Sequence, residues 1–217
     1  MNLSRTHHPR THHLSVVALL ACTGPITAAG LLACGTESTS ESSGMPSIAT
    51  TAVPAGLRWQ PFQGVDLPVA EQGPHHIEGP VASGYDRSPA GAALAAIQST
   101  IRMSIATDTQ WPIVGQRMLA PGPGRDAWAT ARAQISITTP ITSGAPKVLG
   151  YLIARYTHDA TDVDIYTIHP DNSVTCNHTH VLWHSEDWRL QLLDNPTATS
   201  VTAVAVPPVD MVAFTPR

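Results

Sequence analysis

The chain has 217 residues, 42% of them hydrophobic, 13% charged and 5% aromatic, with a formal net charge of −4. Charged residues average about 25% in soluble globular domains, so this chain is charge-poor. Its acidic balance, with Lys147 the only lysine, excludes nucleic-acid binding by a basic surface. Gly 15 and Pro 19 argue for many short elements and against a coiled coil, and Cys 3 is too few for a disulfide framework.

The first elements in chain order are a leader and a tether. Residues 1–13 are polar and carry Arg5, Arg10 and four histidines, whereas Leu14 to Ala33 contain no charge. A positive segment followed by an apolar one is the secretory-signal pattern. The stretch ends in Leu31-Leu32-Ala33-Cys34, which resembles the bacterial lipobox. There, cleavage before the cysteine frees a residue whose sulfur carries diacylglycerol. Leu19-Leu20-Ala21-Cys22 also fits, but it leaves an apolar region of only eight residues and strands Ile26–Leu32 at the start of the mature chain. Cys34 is followed at once by the polar Thr36–Gly44, a suitable tether. An uncleaved anchor is the third reading, since twenty residues just span a bilayer core of about 30 Å. Gly24, Pro25, Thr27 and Gly30 make the segment weakly hydrophobic for that role. The sequence therefore predicts a signal peptide over 1–33, lipidation at Cys34, a linker over 34–56, and one extracytoplasmic domain over 57–217.

Within that domain, Val65–Val69 reads as a short strand, and the rest of 57–86 as an extended arm. Ser88-Pro89 opens the best helix, over 90–106: the hydroxyl caps free amides, and proline loses nothing at the first helical position. Leu94, Ile97, Ile101 and Ile105 share one face, with Gln98 and Arg102 on its flank. Shorter helices are expected over 111–119 and over 126–134, the latter capped by Asp126. Strands follow over 147–157, 163–169, 174–183 and 188–193, rich in β-branched and aromatic residues, with an edge strand over 201–206. Turns fall at Pro170–Ser173 and Ser185–Asp187. Short connections between successive strands imply antiparallel pairing. The fold class is α+β: a curved antiparallel sheet of about four to five strands packed against one long and one or two short helices.

Two segments carry a resemblance. One runs from Gly64-Val65-Asp66-Leu67-Pro68 through Gly84-Tyr85-Asp86-Arg87-Ser88-Pro89-Ala90-Gly91; the other is Val181-Leu182-Trp183 with Asp187-Trp188-Arg189-Leu190. Together they resemble a family of uncharacterised actinobacterial lipoproteins and membrane-anchored proteins met near conjugative or integrative elements. Ser88 stands where that family often has threonine, and Ser185-Glu186 where it often has Asp-Gly. The layout also looks like the nuclear-transport-factor-two-like (cystatin-like) fold. The resemblance implies a non-enzymatic interaction or assembly component at the cell envelope, of a conjugation or secretion system. A small-ligand-binding module, or an enzyme using a pocket in the concave sheet, is the alternative. The implied partners are the membrane, through diacylglycerol on Cys34, and envelope proteins; no nucleic acid and no cofactor are implied.

Candidate chemistry is sparse. His178 and His180 alternate on a strand and so point to one face, about 7 Å apart, a spacing that metal sites use. Cys176, Leu182 and His184 share that face, but His184 is too distant for the same ion. A site needs a third ligand, with His158 or His169 the candidates; otherwise the pair sits on a polar rim. Asp159, Asp162 and Asp164 fit a solvated turn entering a strand, or acid–base work. Tyr85, Asp86 and Arg87 fit a pocket mouth, or a packed tyrosine with Asp86 aiding the helix start. Trp183 and Trp188 fit a binding platform or a cross-strand pair. No nucleophile elbow, P-loop, dinucleotide fingerprint or His-Glu-x-x-His string occurs.

Overall fold

Ser88 and Pro89 do start the longest helix, and that helix is the centre of the fold. In the computed structural model, which describes residues 50–194 and 199–214, α1 spans Pro89–Ile105. The Ser88 hydroxyl accepts the Gly91 N–H at 3.1 Å, and Pro89 occupies the first turn. The leader, both candidate lipidation sites (Cys22 and Cys34) and the tether as far as residue 49 lie outside the described residues. The chain is already held at residues 52–55, which composition places in the tether. Ala55 N–H donates to Gln72 Oε1, its carbonyl accepts Glu71 N–H, and Ala52 O accepts the Tyr151 hydroxyl.

The segment before α1 is more regular than an extended arm. It forms two antiparallel hairpins, β1 (Arg58–Phe62) with β2 (Val65–Val69), and β3 (His76–Glu78) with β4 (Val81–Ser83). These pack on α1, with β2 also meeting β5, so the helix is covered well beyond the one apolar face that its spacing marks. Residues 91–99 and Arg102 are all buried. Gln98 and Arg102 lie inside the hairpin contact. Gln98 Nε2 donates to Pro68 O at 2.9 Å; Arg102 Nε donates to Gln98 Oε1 at 2.8 Å and its Nη1 to Pro80 O at 3.0 Å. The guanidinium also lies over the Phe62 ring. The alanines that suit close packing therefore serve two layers at once.

Two short helices follow, α2 (Trp111–Met118) and α3 (Pro123–Arg132). Helix α3 begins three residues before Asp126, because Pro123 fits the first helical position as Pro89 does. Asp126 is consequently in the first turn, not the cap.

The main sheet runs β10 (Val212–Ala213), β5 (Lys147–Tyr156), β6 (Ala160–Ile168), β7 (Val174–His184), β8 (Asp187–Gln191). β9 (Val201–Val204) joins the same side of β7 as β8 but pairs with its first half. All these pairs are antiparallel. The α+β class with an open antiparallel sheet thus stands, at six strands. Val163, Ile165, Val181, Trp188 and Leu190 turn toward α1 and are buried. On β6 and β7 the intervening residues point to the opposite face. β5 carries register shifts between Val148 and Gly150 and between Ile153 and Arg155. Gly150 is required where β10 closes on β5, since a Cβ there would stand 2.2 Å from Val212 O. Two turns use left-handed backbone without glycine: Asn172 (φ 64°), and the pair Ser185 (φ 52°) and Glu186 (φ 62°).

Candidate functional site

The face of β6 and β7 turned away from α1 carries the polar residues. Asp162 is directly across from His180 and Asp164 from His178 in the β6–β7 register. His178 Nδ1 lies 2.7 Å from Asp164 Oδ1, and His180 Nδ1 bonds Asp162 Oδ1. Arg155, from β5, donates to the other oxygen of Asp162 at 2.8 Å. Burial alone would raise the Asp162 carboxyl; the hydrogen bonds from His180 and Arg155 outweigh it and hold it below the usual carboxylate range. The solvated-turn reading of the acidic stretch therefore holds only for Asp159, which is exposed in the β5–β6 turn and pairs with Arg87.

Beside this lies Cys176, buried two residues before His178, its Sγ 3.8 Å from His178 Nδ1. Burial and the nearby Asp164 push its thiol up, while the Tyr166 hydroxyl pulls the other way. Tyr166 is itself raised by burial, with Cys176, Asp164 and Asp210 adding to the rise. Asp210 belongs to residues 205–211, which connect β9 on the β7 side of the sheet with β10 on the β5 side. His178 Nε2 faces Thr202 Oγ1 of β9 at 3.3 Å.

These pairs form one wall of an open groove of about 800 Å³, at the place where β8 ends and β9 has not yet begun. The groove wraps the open edge of β7 to the α1 face, where Asn177 and Thr179 line it with Thr100, Met103 and Ser104 of α1 and Ala127, Trp128 and Ala131 of α3. α3 reaches this position because Gly124 has no side chain. A Cβ there would meet Leu192 O at 2.3 Å, and its N–H instead donates to Asp194 Oδ1 at 3.2 Å. The volume falls within the range of ligand pockets, about 300–1,000 Å³, and one wall is apolar while the other offers ionisable groups. It lies at the sheet's edge, whereas the face that α1 covers is filled with side chains such as Leu94, Ile97 and Ile165.

The other sequence candidates go elsewhere. His169 bonds Thr175, and His158 meets Tyr156 edge to face while its carbonyl accepts Arg87, so neither supplies a third ligand to His178 and His180. His184 bonds Ser185 in the β7–β8 turn. Trp183 and Trp188 are a cross-strand pair with edge-to-face rings 5.3 Å apart. Tyr85 is buried, but Asp86 turns its carboxylate to His75, not to the helix amides, and none of Tyr85, Asp86 and Arg87 lines the groove.

These residues form a clasp instead. Asp187 accepts Gly84 N–H at 2.9 Å, Tyr85 N–H at 3.0 Å and its neighbour Trp188 N–H at 2.9 Å. Trp188 Nε1 donates to Asp86 O at 3.0 Å, and Arg87 lies over Trp183. The two segments that carry the resemblance thus meet each other, and they lock the start of α1 onto the β7–β8 hairpin.

His178 or His180 acting with an aspartate of 159–164 is the enzyme alternative that the sequence offers, and the register that pairs them was also there to be read. Asp164 and His178 each stand seven residues from Asp171, in the turn already expected at 170–173, and Asp162 and His180 stand nine. A hairpin folded at that turn places each aspartate opposite a histidine.

A family model described as a domain of unknown function (DUF8175) matches residues 27–207. The chain belongs to that family. No curated protein matches it. No solved structure matches it either. Among the described residues no helix is long and apolar enough to cross a membrane.

Proposed function

We propose that this protein is a lipid-anchored, extracytoplasmic binding domain, tethered through diacylglycerol on Cys34 and presenting the β7-edge groove to a protein partner of the cell envelope. The observation that carries the reading is the run Leu31-Leu32-Ala33-Cys34, which follows twenty residues without a charge and precedes a Ser/Thr-rich tether. The likeness to actinobacterial envelope lipoproteins supports it, and points to an apparatus of conjugation or secretion type as the source of the partner. The nuclear-transport-factor-two-like layout is compatible with such a part, because that architecture serves scaffolds as well as enzymes. Two acyl chains hold a protein on a membrane stably where one does not, and a tether then raises the local concentration of the domain around its partner.

Mass spectrometry of the mature protein tests the anchor: a diacylated N-terminal Cys34 is expected, and a Cys34→Ala chain that stayed membrane-bound and diacylated would overturn the site. Purification from membranes tests the groove. Met103→Glu, which places a charge on its apolar wall, is expected to lose the envelope proteins that the unaltered chain retains.

The volume of the groove favours a second reading, a small-ligand-binding module. A ligand that raises the melting temperature of the purified domain, and is displaced by Met103→Glu, would move the assignment there.

A further inference from the structure

Three different donor atoms converge at the polar wall of the groove, Asp164 and His178 lining it and Cys176 buried behind them. A carboxylate oxygen of Asp164, the Cys176 sulfur and a ring nitrogen of His178 all lie within 4.8 Å of one another. They come from two strands whose register fixes them: Asp164 faces His178, and Cys176 is two residues along the same face of β7. We propose that Asp164, Cys176 and His178 bind a divalent cation of borderline softness, of which Zn²⁺ is the representative.

The geometry suits such an ion. In a tetrahedral zinc site, bonds of about 2.3 Å to sulfur and about 2.0 Å to nitrogen place those two ligands about 3.5 Å apart. Cys176 Sγ and His178 Nδ1 are 3.8 Å apart as they stand. Asp164 Oδ1 is closer to Nδ1, at 2.7 Å, because the two now share a hydrogen bond; an ion between them needs only a small side-chain rotation. Such binding takes the Nδ1 lone pair and leaves the imidazole proton on Nε2. Thr202 Oγ1, 3.3 Å from Nε2, is placed to accept it. An outer oxygen that holds the second ring nitrogen of a ligating histidine is the recurrent support of metal sites.

The charge also balances. Binding expels the thiol proton to solvent as the metal–sulfur bond forms. A thiolate, a carboxylate and a neutral imidazole around a dication then give a site of zero net charge, which the partly buried position tolerates. The donor set mixes sulfur, nitrogen and oxygen, which selects zinc-like ions over calcium and magnesium. His180 is not part of the set, since its Nδ1 is taken by Asp162, whose other oxygen accepts from Arg155. Three protein ligands leave one tetrahedral position, so an ion here would give the groove a Lewis-acidic point for a carboxylate, a thiol or water. The inference is independent of the lipid anchor and stands if Cys34 proves unmodified.

Cobalt(II) titration of the purified full-length chain, stripped with chelator and held in detergent, tests the site. A near-ultraviolet thiolate-to-cobalt charge-transfer band saturating at one ion per chain is expected, with Zn²⁺ abolishing it by displacement. Cys176→Ser should lose the band. Asp164→Asn and His178→Ala, both on the open side of the site, should weaken cobalt binding at least tenfold while the far-ultraviolet circular dichroism stays unchanged. His180→Ala should retain it. Absence of the band, or its survival in both Asp164→Asn and His178→Ala, overturns the proposal.

Discussion

Asp187 and Asp164 are both aspartates at the sheet, both within hydrogen-bond reach of nitrogen, yet they are employed differently. Asp187 spends its oxygens on three backbone amides, whose positions the fold fixes. Asp164 faces one imidazole, a group that can turn, change tautomer or take a proton. The first arrangement ties two distant segments together and leaves nothing for a ligand. The second leaves lone pairs open to the groove. A carboxylate's partners, more than its burial, therefore separate the clasp from the candidate site.

Substitutions should separate the two classes. Asp187→Ala strips acceptors from the Gly84 and Tyr85 amides, and should destabilise the domain by about 2 kcal/mol in urea unfolding. A loss below about 0.5 kcal/mol would remove the distinction. Glu186→Gly acts on the turn that sets the β7–β8 register. It relieves a positive φ on a residue with a side chain, and should raise stability by about 1 kcal/mol, seen as a higher thermal midpoint. Asp164→Asn should cost less than about 1 kcal/mol, because its histidine partner is half exposed, although it weakens cobalt binding.

The smallest effect is one of pH. Asp108 belongs with Asp187: the Ile137 N–H and the Ser136 hydroxyl hold its carboxyl below the usual range, against a burial effect and with help from Arg132. A carboxyl depressed on folding adds stability that is fully present above its unfolded value, about 3.9, and lost as pH falls through the lower folded value. The stability difference between the unaltered chain and Asp108→Asn should thus shrink as pH falls from about 5 to about 2. Urea midpoints at several pH values would show it; a constant difference would count against Asp108 as a fixed structural carboxylate.

Much of the fold was legible because local signals agree with it. Ser88-Pro89 marks the start of α1, and the β-branched runs and turn residues mark β5 to β8 within a few residues. Of the hairpins before α1 only β2 was legible, as the strand Val65–Val69; three-residue strands such as β3 and β4 have too short a period to separate from loop. Gln98 and Arg102 read as flank residues because polarity usually marks solvent. Here their donors are met by the Pro68 and Pro80 carbonyls and the Gln98 Oε1 accepts from Arg102, which no periodicity encodes. His178 and His180 stood out in the sequence, and so did Asp162 and Asp164, but not which aspartate meets which histidine. Asp162 and Asp164 acquire meaning only once β6 lies against β7.

β5 lies near one side of the sheet, and β10 pairs with it only at Gly150 and Tyr151. A long bare strand there would offer a second chain an even row of amides and carbonyls to copy. The two irregularities in β5 interrupt that row, and Lys147 and Arg155 place charge along it. This guards against strand exchange between copies. If tethering confines the domains to a plane, neighbours collide far more often than they do free in solution. The broken strand would then let the protein be crowded on a surface without polymerising.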